Sequence, residues 1–236
     1  YENLNRGGIS LNTFDLVMAR VAKVSKDNFY QRLIGNILNT KYYDNSLLPE
    51  CIIKIAGNMI ENNEYNASLT IGCYNSDKNE IDGKYIDAFL DVLSLYCNNR
   101  DFEPSGFSIE HTKRKEILSL KPMDIHDNCQ LVCNAIDRAL FFFQTRCGIR
   151  NIKEINYQLM LVLVATVFTK DEFFFNRGVH DILEAWYWAS LFTGEYDKDQ
   201  NRRMIENLKS IVSTILGESS TEWLHLLQNK VLIAED

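Results

Sequence analysis

The stretch that decides the fold is Asn128-Cys-Gln-Leu-Val-Cys-Asn-Ala-Ile-Asp-Arg-Ala-Leu-Phe-Phe-Phe-Gln-Thr145. Val132, Ala135, Ile136, Ala139 and Phe143 recur at three- and four-residue spacing, which puts them on one face of an α-helix. Gly148 follows where a helix C-cap belongs. Downstream the same period repeats. Ile155 to Thr169 is apolar nearly all round, as a central buried helix should be. Asn176 suits the cap of a helix over Gly178 to Phe192, which turns Val179, Leu183, Trp186 and Ala189 inward and ends before Gly194. Asp199 to Leu216 carries Ile205, Leu208, Val212 and Ile215 and stops at Gly217, and Thr221 to Ile233 closes the chain.

Upstream the pattern is also helical. Leu11 to Ser25 reads as an amphipathic helix with Ser10 as N-cap and Leu11, Phe14, Met18 and Val21 on one face. Asp27 to Leu38 and Ser46 to Glu61 follow, and another helix begins after Asp82 with Ile86, Phe89, Leu93 and Tyr96 on one side. Leu69-Thr-Ile-Gly-Cys-Tyr74 is the one strand-like run. The fold class is therefore mainly α, a multi-helix array with a minor β element near residues 65–75. Asn98 to Asp127, with Pro104, Gly106 and Pro122, is the main break. It divides the chain into an N-terminal helical segment, residues 1–103, and a C-terminal helical subdomain, residues 104–236. No fixed-period repeat marks a solenoid.

Composition bounds the function. The 236 residues are 46% hydrophobic and 24% charged with 3 prolines, which is ample material for a packed core. A net charge of −7 opposes bulk electrostatic binding of nucleic acid and leaves only local patches, Lys113-Arg114-Lys115 and Arg202-Arg203, for DNA. Six cysteines without C-x-x-C pairs fit a reducing cytoplasm. No signal-peptide pattern is visible, and the longest apolar run, around Leu159 to Phe168, falls short of the ~20 residues that cross a bilayer.

Candidate chemistry is sparse. His126, Cys129 and Cys133 can share a helix face and so could hold zinc, but packing cysteines explain them better. His180 and Glu184 are spaced as an acid–base pair, yet no nucleophile accompanies them, and a solvated face accounts for them. Trp186, Tyr187, Trp188, Phe192 and Tyr196 lie among acidic neighbours, which favours core packing over base stacking. Before the first helix, Asn5-Arg6-Gly7-Gly8 is the kind of loop that presents backbone N–H groups to an anion, or simply a tight turn.

Three segments share a resemblance. Tyr1-Glu-Asn-Leu-Asn-Arg-Gly-Gly-Ile-Ser-Leu-Asn-Thr-Phe-Asp-Leu-Val-Met-Ala19 resembles the F-x-x-(I/L)-N-x-G-G-x-x-L-x-x-x-D-L-x-x-A segment of GmrS-like proteins. These are the ParB/sulfiredoxin-like half of GmrSD-type, modification-dependent restriction systems. Ala139 to Ile149 with Ile155 to Met160, and Leu183 to Asn201, are similar to that family's helical region and occur in family order. The family's D-G-Q-Q-R-type motif and HNH-type nuclease domain do not occur in this sequence. The chain opens on Tyr1 inside a motif, so we expect a longer parent.

The resemblance thus implies a non-catalytic helical region of an NTP-dependent anti-phage restriction protein. Asn5, Gly7 and Gly8 would contribute to a nucleotide pocket, and NTP and a divalent metal would belong to the parent. The implied partner is a nuclease domain or subunit, with DNA reached only through the assembly and homo-oligomerisation compatible with the reading. The alternative is a self-contained helical protein–protein interaction module without nucleotide.

Overall fold

The computed structural model describes residues 12–39 and 71–218. Nine α-helices and one two-stranded ladder make up these residues. The helices are α1 (Thr13–Ser25), α2 (Phe29–Leu38), α3 (Gly83–Asn98), α4 (Arg114–Ser119), α5 (Pro122–Cys147), α6 (Gln158–Val167), α7 (Asp171–Phe174), α8 (Arg177–Thr193) and α9 (Gln200–Ile215). Strands β1 (Tyr74–Asn75) and β2 (Glu80–Ile81) pair antiparallel. The protein is mainly helical with a minor β element, as its periodicity predicts.

The 26-residue α5 is the axis of the molecule. It packs against α6, α1, α3 and α2, while α6 also meets α3 and α9. Every residue of α6 from Met160 to Val167 is buried, which is why its sequence lacks a polar face. α5 begins six residues before Asn128. Pro122 does not break it, because proline at the first helical position forfeits no intrahelical hydrogen bond. Its C-terminus is capped by Gly148 in the left-handed region (φ 70°), where a side chain would be strained.

Two local expectations shift. α1 is capped by Asn12 rather than Ser10: the Asn12 side chain accepts from the Asp15 N–H, and the Asp15 carboxylate accepts from the Asn12 N–H. The buried stripe is then Phe14, Val17 and Val21, with Met18 at its half-buried edge. The strand begins where the strand-like run ends. Ile71 (φ 49°) and Gly72 (φ 75°) adopt left-handed conformations that interrupt extended backbone, so the ladder pairs Tyr74 with Ile81 and Asn75 with Glu80. The expected helices at Ser46–Glu61 and Thr221–Ile233 lie outside the described residues.

Pro104 opens a 3₁₀ turn, Pro104–Gly106, followed by a second at Ile109–Thr112. Phe102, Phe107, Ile117 and Leu120 from this irregular stretch are buried in the same hydrophobic cluster as α1, α3, α5 and α6. Residues from both sides of Pro104 thus share one core.

Candidate functional site

Asn5, Gly7 and Gly8 lie outside the described residues. The helix that follows them is firmly held. Arg20 of α1 donates to the carbonyl oxygens of Leu118 and, at 2.8 Å, of Leu120, meeting carbonyls at the end of α4. A guanidinium suits that place, because the last carbonyls of a helix have no intrahelical donors.

The first residue of α1, Thr13, borders a cleft of about 520 Å³. The cleft is where helices begin: Arg114 opens α4, Gln158 opens α6 and Gln200 opens α9, and all of them line it. Neither α6, preceded by Tyr157, nor α9, preceded by Asp199, has a side-chain N-cap. Apart from the Met160 N–H, which donates to the Tyr157 carbonyl at 2.9 Å, their first-turn N–H groups therefore lack a capping oxygen, and each helix start carries roughly half a positive charge. The Arg114 guanidinium adds a full one.

α3 also lines the cleft, with Asp87 and Asp91 one turn apart and Leu90 between them. Burial, reinforced by the neighbouring Asp87 charge, pushes the Asp91 carboxyl up to about 7. A carboxyl in that state both donates and accepts near neutral pH. Leu90, Ile117 and Leu159 complete the lining with apolar surface. The cleft is thus lined by groups of both signs together with apolar surface.

Sequence position does not single these residues out, apart from Arg114 within its basic run. One signal was there to read. Like charges at i, i+4 on a helix repel and cost a few tenths of a kcal/mol, so Asp87 and Asp91 one turn apart on a helix required a reason.

The other candidates resolve into structure. His126 lies at the surface of α5, 2.8 Å from Asp27 and 3.0 Å from Asp127, with Arg32 Nη1 2.7 Å from its Nε2. Hydrogen bonds to Asp127 and Asp27 raise its pKa. Cys129 and Cys133 are buried instead, each Sγ 3.6 Å from the Asn36 amide. Burial raises the Cys133 thiol, while the hydrogen bond between the two thiols lowers Cys129. Imidazole and thiols therefore serve different contacts, and no group of three or more His, Cys, Asp or Glu suited to a metal occurs among the described residues.

His180 is fully buried rather than on a solvated face. Its Nε2 donates to the Phe174 carbonyl at 2.7 Å, and the rings of Phe142, Phe168 and Phe174 surround it. Burial lowers its pKa to about 4. Glu184 turns away to Arg146, at 2.6 Å. The two are not an acid–base pair.

Trp186, Tyr187 and Tyr196 are core residues, whereas Phe192 is 80% exposed and stacks on Trp188 at 5.8 Å. The basic runs are partly neutralised: Lys113 pairs with Glu110, and Arg202 and Arg203 both meet Glu206. Among the described residues no helix is long and apolar enough to cross a membrane.

Comparison with protein-family models, curated proteins and solved structures finds no match to this chain.

Proposed function

We propose that this chain is the helical region of a GmrS-like, NTP-dependent anti-phage restriction protein. It is non-catalytic in itself and couples the nucleotide state of its parent to a nuclease domain or subunit. The observation that carries this reading is the ordered set of three motifs, from Tyr1–Ala19 through Ala139–Met160 to Leu183–Asn201.

The packing of those segments supports it. The α1 stretch of the first motif packs against α5, which contains Ala139–Cys147 of the second, and the residue after the first motif, Arg20, bonds the end of α4. The third motif covers most of α8 and the start of α9, which packs on α6. A displacement of the Asn5–Gly8 loop would therefore act on a rigid body, since well-packed helices transmit strain rather than absorb it.

The experiment is calorimetric titration of ATP and GTP into the full-length protein and its Gly7→Val variant. Saturable binding that is lost in Gly7→Val is the expected result. Absence of nucleotide binding by the full-length protein overturns the proposal.

A second reading, the self-contained interaction module, is favoured by the Trp188–Phe192 stack. An 80% exposed phenylalanine on a tryptophan is a common partner anchor. Nucleotide binding abolished by Gly7→Val would count against that module.

A further inference from the structure

The cleft at the helix starts makes demands on a ligand that are independent of the restriction reading. A simple anion would face Asp87 and Asp91. A simple cation would face Arg114 and the uncapped starts of α6 and α9. Asp91 lines the cleft half-buried and has no hydrogen bond or ion pair among the described residues. A carboxyl on the cleft wall with no protein partner is open to a donor supplied by a ligand. Arg114 is already engaged elsewhere, but its five N–H donors serve more than one acceptor.

We propose that this cleft binds a small zwitterion of the amino-acid or dipeptide class with apolar side chains. Its ammonium sits between Asp87 and Asp91, and its carboxylate lies on Arg114 and the N–H groups that open α6 and α9. An ammonium has three donors for the two carboxyls. A carboxylate at a helix start gains both the orphan N–H groups and the dipole. Leu90, Ile117 and Leu159 offer the apolar contact for the side chain. The volume of about 520 Å³ suits such a ligand, small-molecule sites being roughly 300–1,000 Å³.

The test is calorimetric titration of leucine and leucyl-leucine into the full chain, against N-acetyl-leucine, which lacks the ammonium, and leucinamide, which lacks the carboxylate. Saturable binding of leucine or leucyl-leucine is expected, weakened at least tenfold in each blocked analogue. Asp91→Asn and Arg114→Gln should each weaken it tenfold or more while far-UV circular dichroism and cooperative melting are retained. The analogue series uses the unaltered protein, so its outcome does not depend on whether a variant folds. No saturable binding by either probe, equal binding of the blocked analogues, or competition by magnesium with inorganic phosphate that displaces leucyl-leucine would each overturn the proposal. Nucleotide binding at the Asn5–Gly8 loop is read in a separate titration, so either idea can fail alone.

Discussion

Two titratable groups in this molecule are displaced by burial in opposite directions, and their surroundings differ as much as their shifts. His180 sits in a sealed aromatic cage formed by α5, α7, α8 and Phe168, with one ring nitrogen bonded to the Phe174 carbonyl. Asp91 sits on the wall of an open polar cleft, beside a second aspartate and without a bond of its own. The cage holds its histidine neutral as part of the core. The cleft holds a carboxyl in an environment that nothing within the described chain completes. Burial by itself therefore does not mark a functional residue. What separates the two is whether the group faces packed side chains or a space that a ligand can enter.

The largest effect should come from the cage. Phe142 is fully buried and touches Phe143, Phe168 and His180. Phe142→Ala should cost about 3–5 kcal/mol in urea unfolding, through lost transfer energy and the cavity left behind. A cost near zero would mean that the cage is not the packed region described above.

The next two predictions test the opposite shifts. His180 is neutral in the folded state down to about pH 4, whereas an unfolded histidine takes up its proton near pH 6.5. Between those values the unfolded chain binds more protons, so stability is fully present above about pH 6.5 and falls as pH drops toward 4. The loss should approach about 3 kcal/mol and vanish from the pH profile of His180→Gln.

Asp91 has the reverse sign. Its folded carboxyl is raised to about 7, so its contribution is intact below the unfolded carboxylate range near pH 4 and is lost as pH rises through 7. Asp91→Asn should therefore be more stable than the unaltered protein by up to about 4 kcal/mol at pH 8 and nearly equal to it at pH 4. A variant less stable at pH 8 would show that the ionised carboxylate has a partner and would erase the contrast with His180.

Much of the helical framework was legible in the chain. α6 is apolar all round because it is enclosed all round, and α8 and α9 end at Gly194 and Gly217, both in left-handed conformations. Errors gathered where local signals compete. Pro122 reads as a breaker by composition but is the first residue of α5. Ser10 and Asn12 are both good caps, and the presence of Asp15 three residues after Asn12 decides between them.

The polar cleft was less legible, because its members come from α1, α3, α4, α6 and α9 and are ordinary helix-start or helix-flank residues when read singly. On α3 the periodicity placed Ile86, Phe89, Leu93 and Tyr96 inward. Of these Phe89 and Leu93 are buried while Ile86 and Tyr96 are only half-buried, and Tyr85, Ala88, Leu90 and Val92 join the buried set, so that Asp91 borders the core.

The sequence by itself determined the helical class, the enclosed position of α6 and the acidic balance, because periodicity and composition act locally along the chain. It also carries the three ordered segments on which the functional proposal stands. Only the tertiary structure decided that His180 is sealed and that Asp87 and Asp91 share one cleft with Arg114 and the starts of α6 and α9. The reason is physical. A helix's period says which face is apolar, but the sign and solvation of a site depend on which other helices begin, end or pack against that face, and those partners lie tens of residues away.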